Sequence, residues 1–154
     1  MDFYVRSHTQ KRLMKEQNKQ LLLIDLCARL PYGVIVDNPN PVGGAWDEVI
    51  NIDTSTKTVT LLYDGRVFSI DVIKPYLRPM SSMTEEEQAE FVQFHCVTLC
   101  PVVINNCLTI GNESKMIDWL LAHHFDYRID PSTGKTLIES NLAIEAPEGM
   151  YKNE

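Results

Sequence analysis

Four histidines and four cysteines are the side chains of this 154-residue chain with metal or nucleophile chemistry within reach. His95, Cys96, Cys100 and His123, with Cys107 nearby, can be assembled on paper into a zinc site and, with one position left open, into a metal-dependent hydrolase. The spacing argues otherwise. Cys96 and Cys100 look like one face of a helix, not the Cys-x2-Cys knuckle that sets two thiolates on one tight turn. His123 and His124 are adjacent, so on a helix they point about 100° apart and cannot chelate one ion as an i, i+4 pair does. His124 falls inside an apolar face and reads as a core histidine.

Two further constellations fail for equally physical reasons. Ser132 to Thr136 carries the GKT tail of a phosphate-binding loop, but the position that needs the first glycine is Ile129, so the cradle of backbone amides is missing. Glu85, Glu86, Glu87 and Glu90 are accounted for as the acidic first turns of a helix, and no motif sets one carboxylate opposite another for acid/base work. The sequence therefore assigns no catalytic residue, no metal ligand and no cofactor. The hydrolase built on His95, Cys96, Cys100 and His123 stays as an alternative reading.

Composition narrows the rest. Hydrophobic residues make up 44% of the chain and charged ones 23%, an ordinary globular balance, and the length matches one domain. A net charge of -7 disfavours non-specific nucleic-acid binding. The basic cluster at Lys11, Arg12, Lys15 and Lys19 is interrupted and has no interleaved aromatics. Sequence-specific binding through the HHFDYR stretch is kept as another alternative. No segment reads as a signal peptide or a membrane span. Cys27 sits in an apolar stretch and the other cysteines form an odd set, so a reduced, cytoplasmic protein is expected.

The positioning elements follow from pattern. QLLLIDLCARL, from Gln20 to Leu30, is apolar almost all round as a helix and is expected to be a core helix starting between Lys11 and Asn18, with Asp25 and Arg29 left on a polar stripe facing water. Pro31 and Gly33 stop it. Val34 to Val36 and Glu48 to Asp53 read as strands on either side of the NPNPVGGA loop, with Trp46 packed as its anchor. Thr58 to Tyr63 and Arg66 to Val72 flank Asp64-Gly65, a two-residue type I′ hairpin signal that would set Leu61 opposite Phe68 and Val59 opposite Ile70. The fold class expected is α+β: an N-terminal core helix, a small curved antiparallel sheet with SH3-like closure as one option, then two C-terminal helices.

One domain over 1–154 is expected: a β-rich half over about 16–73, an extended hinge over 74–83, a helical half over 84–146 and a loose tail. Thr84 and Glu87 form a capping box for a helix from Glu85 to Leu99. Pro101 to Ile110 reads as strand or ordered loop. Asn112 caps a further helix reaching His124, with Met116, Ile117, Leu120, Leu121 and His124 on its buried face. Thr136 to Ser140 reads as one helical turn ended by Asn141, and Leu142 to Glu145 as a final strand.

Four stretches, LIDLCARLPYGVIV from Leu23, IKPYLRPMSSMTEEE from Ile73, IDWLLAHHFDYR from Ile117 and LAIEAPEGMY from Leu142, together resemble a family of small uncharacterised proteins of gut anaerobes and of their phages and other mobile elements. The resemblance implies a stand-alone intracellular protein of phage-like origin and carries no activity with it. The expected function is a small cytosolic protein-interaction module. Its binding surface is expected at Tyr76, Arg78, Trp119, His123, Tyr127 and Arg128, residue types enriched at interfaces. A protein partner is expected, with no membrane. The charge also allows a variant, an acidic inhibitor of a host nucleic-acid enzyme.

Overall fold

The computed structural model of the protein describes residues 2–40, 42, 44–63, 65–98 and 106–151, and within the helices the side chains of 8–29, 85–94 and 114–122. The chain forms two compact units, residues 1–76 with 128–144, and residues 77–127 with 145–154. The first ends inside the stretch expected to be an extended hinge. The return of 128–144 to that first unit has no counterpart in the sequence reading.

In the first unit, helix α1 runs Asp2–Arg29. Leu30–Tyr32 close it as a 3₁₀ turn with proline in its first turn, and Gly33 takes φ 78, which a residue with a Cβ rarely adopts. Strands β1 (Ile35–Asp37), β2 (Trp46–Asp53), β3 (Thr58–Leu61) and β4 (Val67–Ser69) follow as an antiparallel sheet in sequential order. Leu22, Leu23 and Leu26 of α1 share one core with Val36, Val49, Val59 and Leu61 of the sheet and with Ile70 and Ile73. This is the α+β arrangement the pattern implied. The sheet has β1 and β4 at its edges, so it is an open sheet and not the SH3-like barrel considered from sequence.

A bulge explains how β2 faces the core. Val49 and Ile52 both pack inward although they are three residues apart, which strict alternation forbids. The register shifts between Val49 and Asn51 and turns Ile50 outward, half exposed.

The hairpin joining β3 and β4 differs from expectation in register. Val59 pairs with Phe68 and Thr60 with Val67, and the Leu61 N–H bonds the Arg66 carbonyl at 3.1 Å. Four residues therefore separate Leu61 from Arg66, where the two-residue loop left Tyr63 and Arg66 as neighbours, and Gly65 takes φ 58. Slipping by two preserves the inward face, which is why Val59 and Leu61 are still buried. Trp46 is half exposed and does not bury itself as a loop anchor.

The largest departure lies on α1. Asp25 and Arg29 are both completely buried. The Arg29 Nε donates to Asp25 Oδ2 at 2.6 Å and Nη2 to Oδ1 at 3.2 Å, while Arg128 Nε donates to Oδ1 at 3.1 Å. One carboxylate thus takes two guanidinium groups, the second from a residue 103 positions away. Arg128 opens a segment whose Leu137 is fully buried and whose Thr136 and Glu139 cap each other reciprocally, at 3.0 and 3.4 Å. Its Asp130 carboxylate accepts from the Ser132 N–H at 2.9 Å, an Asx turn that consumes an amide a phosphate loop would need. Asn141 ends the turn at φ 60.

In the second unit, residues of strand β5 (Tyr76–Pro79) run parallel to β6 (Phe125–Asp126), with Arg78 opposite Phe125. Helices α2 (Glu85–Thr98) and α3 (Asn106–Ala122) pack together beside them. Helix α3 begins earlier than the Asn112 cap predicts, so 106–110 is helical and not strand or loop. Leu77, Leu120, Leu121 and Phe125 are buried, whereas Ile117, expected inside, is 40% exposed. A last strand, β7, spans Ile144–Glu145. The segment expected as a loose tail lies partly outside the described residues; within them, the Tyr151 ring stacks on His124 at 3.7 Å. Among the described residues no helix is long and apolar enough to cross a membrane.

Removing the Asp25 carboxylate would leave two guanidinium groups facing an uncompensated buried site. Asp25→Ala is expected to lower the unfolding free energy by about 3–5 kcal/mol, read as a fall in the urea midpoint. Lys19→Ala, which breaks a partly exposed pair to Asp71 of 2.9 Å, should shift that midpoint little.

Candidate functional site

The second unit contains a groove of about 630 Å³ lined by residues from three separate stretches, Arg78 to Glu87, Ala122 with His123, and Glu145 to Tyr151. At its base Arg78 and Glu87 form a two-pronged ion pair, Nη1 to Oε1 and Nη2 to Oε2, both 2.7 Å. The Arg78 head also donates to the carbonyls of Ser82 (3.3 Å) and His123 (3.5 Å) and lies 4.3 Å from the centroid of the Phe125 ring. A planar guanidinium with both terminal nitrogens engaged fixes the strand, the helix start and the end of α3 at one point.

Glu87 has two tasks. Its Oε2 also accepts from the Thr84 N–H at 2.9 Å, and the Thr84 hydroxyl accepts from the Glu87 N–H at 3.2 Å, the reciprocal capping box expected from sequence. The Arg78 guanidinium first, and the Thr84 amide after it, hold the Glu87 carboxyl down from the usual 4.5 to about 2, against burial that pushes it up.

His123 is set by its neighbours. Its Nδ1 donates to the Trp119 carbonyl at 2.8 Å, because a carbonyl can only accept, and this leaves Nε2 as the acceptor of the neutral ring. Trp119 stacks on the imidazole at 4.0 Å, lies 5.6 Å from Phe91 and 5.7 Å from Phe125, and donates from Nε1 to Glu90 at 3.1 Å. Its packing role is to position His123.

The six residues expected to form one surface fall into two sets. Arg78, Trp119, His123 and Tyr127 belong to the second unit, and Arg78, Trp119 and His123 meet there through the contacts above. Tyr76 and Arg128 belong to the first unit. The Tyr76 hydroxyl donates to Asp37 at 3.2 Å, and burial, with the carboxylate beside it, raises the phenol above its usual value. Arg128 serves the buried Asp25.

The groove's rim was missed from sequence. Glu86, Glu145 and Glu148 line it and are exposed, and among the described residues no ion pair reaches any of them. Arg78 and His123, both expected at a binding surface, line this groove, and the Thr84–Glu87 spacing announced its capping box; no local signal joined Glu145 and Glu148 to them. The side chains of His95, Cys96, Cys100 and Cys107 lie outside the described residues, and among those described no group of three metal-ligating side chains comes together. Comparison with protein-family models, with curated proteins and with solved structures found no match to this chain.

Glu87's lowered pKa has a defined sign. A depressed carboxylate contributes stability above its unfolded value, about 4.5, and loses it as pH falls through the folded value of about 2. Glu87→Gln is therefore expected to be less stable than wild type at neutral pH, with the difference closing between pH 4.5 and 2. Urea melts of both chains across that range measure it.

Proposed function

We propose that the protein is a protein-interaction module whose second unit receives a basic segment of its partner in the Arg78–His123 groove. The observation that carries this reading is the unmatched acidity of the rim. Among the described residues Glu86, Glu145 and Glu148 enter no ion pair, while Arg78 at the base is already committed to Glu87. A lysine or arginine entering the groove meets carboxylates on the rim, an aromatic ring at Tyr151 and an imidazole acceptor at His123, the mixture of charge and flat apolar surface that long basic side chains bind. Catalysis has no comparable support, since the carboxylate at the base is held in its ion pair with Arg78, and the aliphatic hydroxyls of the lining, Ser82 and Thr84, are engaged with the Pro79 carbonyl and the Glu87 N–H.

The distribution of charge favours one variant of the same reading, an acidic inhibitor of a nucleic-acid enzyme. The second unit contains ten carboxylates against three lysines and arginines, a balance suited to the basic face with which such an enzyme holds phosphates. If that variant holds, duplex DNA competes with the chain for its partner.

Calorimetric titration with a short lysine- and arginine-bearing peptide tests the groove itself. Binding is expected at low salt, to weaken as salt rises, and to fall about tenfold or more, about 1.4 kcal/mol, in Glu86→Lys/Glu148→Lys. A peptide that does not bind, or that binds the variant equally well, would contradict the proposal.

A further inference from the structure

Residues 8–17 of α1 are all exposed, although they belong to a helix that begins at Asp2. At 3.6 residues per turn, His8, Lys11, Arg12, Lys15 and Lys19 fall within about 100° of arc. Lys19 is held by Asp71 at 2.9 Å. Lys11, Arg12 and Lys15 enter no ion pair among the described residues, and no acid interrupts the chain from His8 to Lys15. Glu16 and Lys19 tie the far end of this stretch to Lys57 and Asp71, and the Lys15 charge also acts on Asp71. The polar, exposed turn before them is only marginally stable as a helix in water, so a partner for Lys11, Arg12 and Lys15 would stabilise it.

The chain carries the complementary surface itself. The first unit balances eleven carboxylates with eleven lysines and arginines, so the second unit holds the whole net charge of -7. Size agrees as well. One helical turn, a cylinder about 10–12 Å across and 5.4 Å long, occupies about 400–600 Å³, against a groove of about 630 Å³. Lys11, Arg12 and Lys15 span little more than one turn, and three carboxylates that pair with no cation among the described residues stand on the groove's rim.

We propose that the occupant of the groove is the Lys11–Lys15 turn of α1 from a second copy of this chain. The inference rests on the groove reading above and names its partner. The contact is heterologous, arm on groove, so each copy offers one of each and association closes as a reciprocal pair or a ring. Attraction between exposed charges acts over about 8–10 Å at ordinary ionic strength, which makes the assembly salt-sensitive.

Sedimentation of the full chain tests it with two charge-reversed chains, Lys11→Glu/Arg12→Glu/Lys15→Glu and Glu86→Lys/Glu145→Lys/Glu148→Lys. All six positions are exposed, and circular dichroism checks that both chains fold. Wild type is expected to sediment at twice the monomer mass or more at low salt and as monomer at high salt. Each reversed chain alone is expected to be monomeric, and an equimolar mixture to reassociate because arm and groove are again opposite in sign. A wild type that stays monomeric at low salt, or reversed chains that associate as wild type does, would overturn the proposal. Should the wild type stay monomeric yet still bind the basic peptide at the groove, the groove reading stands and the second copy as occupant is wrong.

Discussion

The carboxylate of Asp25 is removed from water completely and is left with two guanidinium groups for company. Burying a charge in an apolar core costs several kcal/mol, and geometry of this quality is what offsets it. Much of the chain's organisation follows from that requirement. Arg29 is supplied one helical turn away, but Arg128 arrives from beyond the whole of residues 77–127. Meeting it brings residues 128–144 back to the unit that contains α1. The second unit is consequently an insertion in the sequence of the first, closed by the final stretch from Glu145 onward.

Much of the first unit was legible because its signals are local. The apolar stretch of α1, the proline and glycine that end it, and the alternation of β3 all report on neighbours a few residues away. The Asp-Gly pair identified a hairpin and its inward face, yet its register depends on how many residues the turn holds, and the four-residue turn won over the two-residue one. The i, i+4 spacing of Asp25 and Arg29 was equally plain. Their burial was not, because nothing near position 25 announces an arginine at position 128, and an isolated helix with that stripe would turn it to water.

The second unit shows the same limit in its site. Thr84 and Glu87 are three apart and read as a cap, which they are. That the same glutamate closes a two-pronged bond with Arg78 requires the chain to fold back over the turn at Met80–Ser82. Glu145 and Glu148 join the rim only because the last described residues are ordered, with Tyr151 stacked on His124, where composition pointed to a loose end. The aromatic and arginine residues singled out from sequence are mostly the frame: Trp119 positions His123, Arg78 joins three segments, and the rim carboxylates of Glu86, Glu145 and Glu148 are exposed, with no ion pair among the described residues.

We propose that a basic segment docks in this acidic groove. Amide chemical-shift mapping of the full chain during titration with a lysine- and arginine-bearing peptide tests it at residue level. The shifts are expected to cluster at Thr84 to Glu87, at His123 and at Glu145 to Tyr151, and to disappear at high salt. Shifts confined to the first unit, or spread evenly over every exposed carboxylate of the chain, would contradict it.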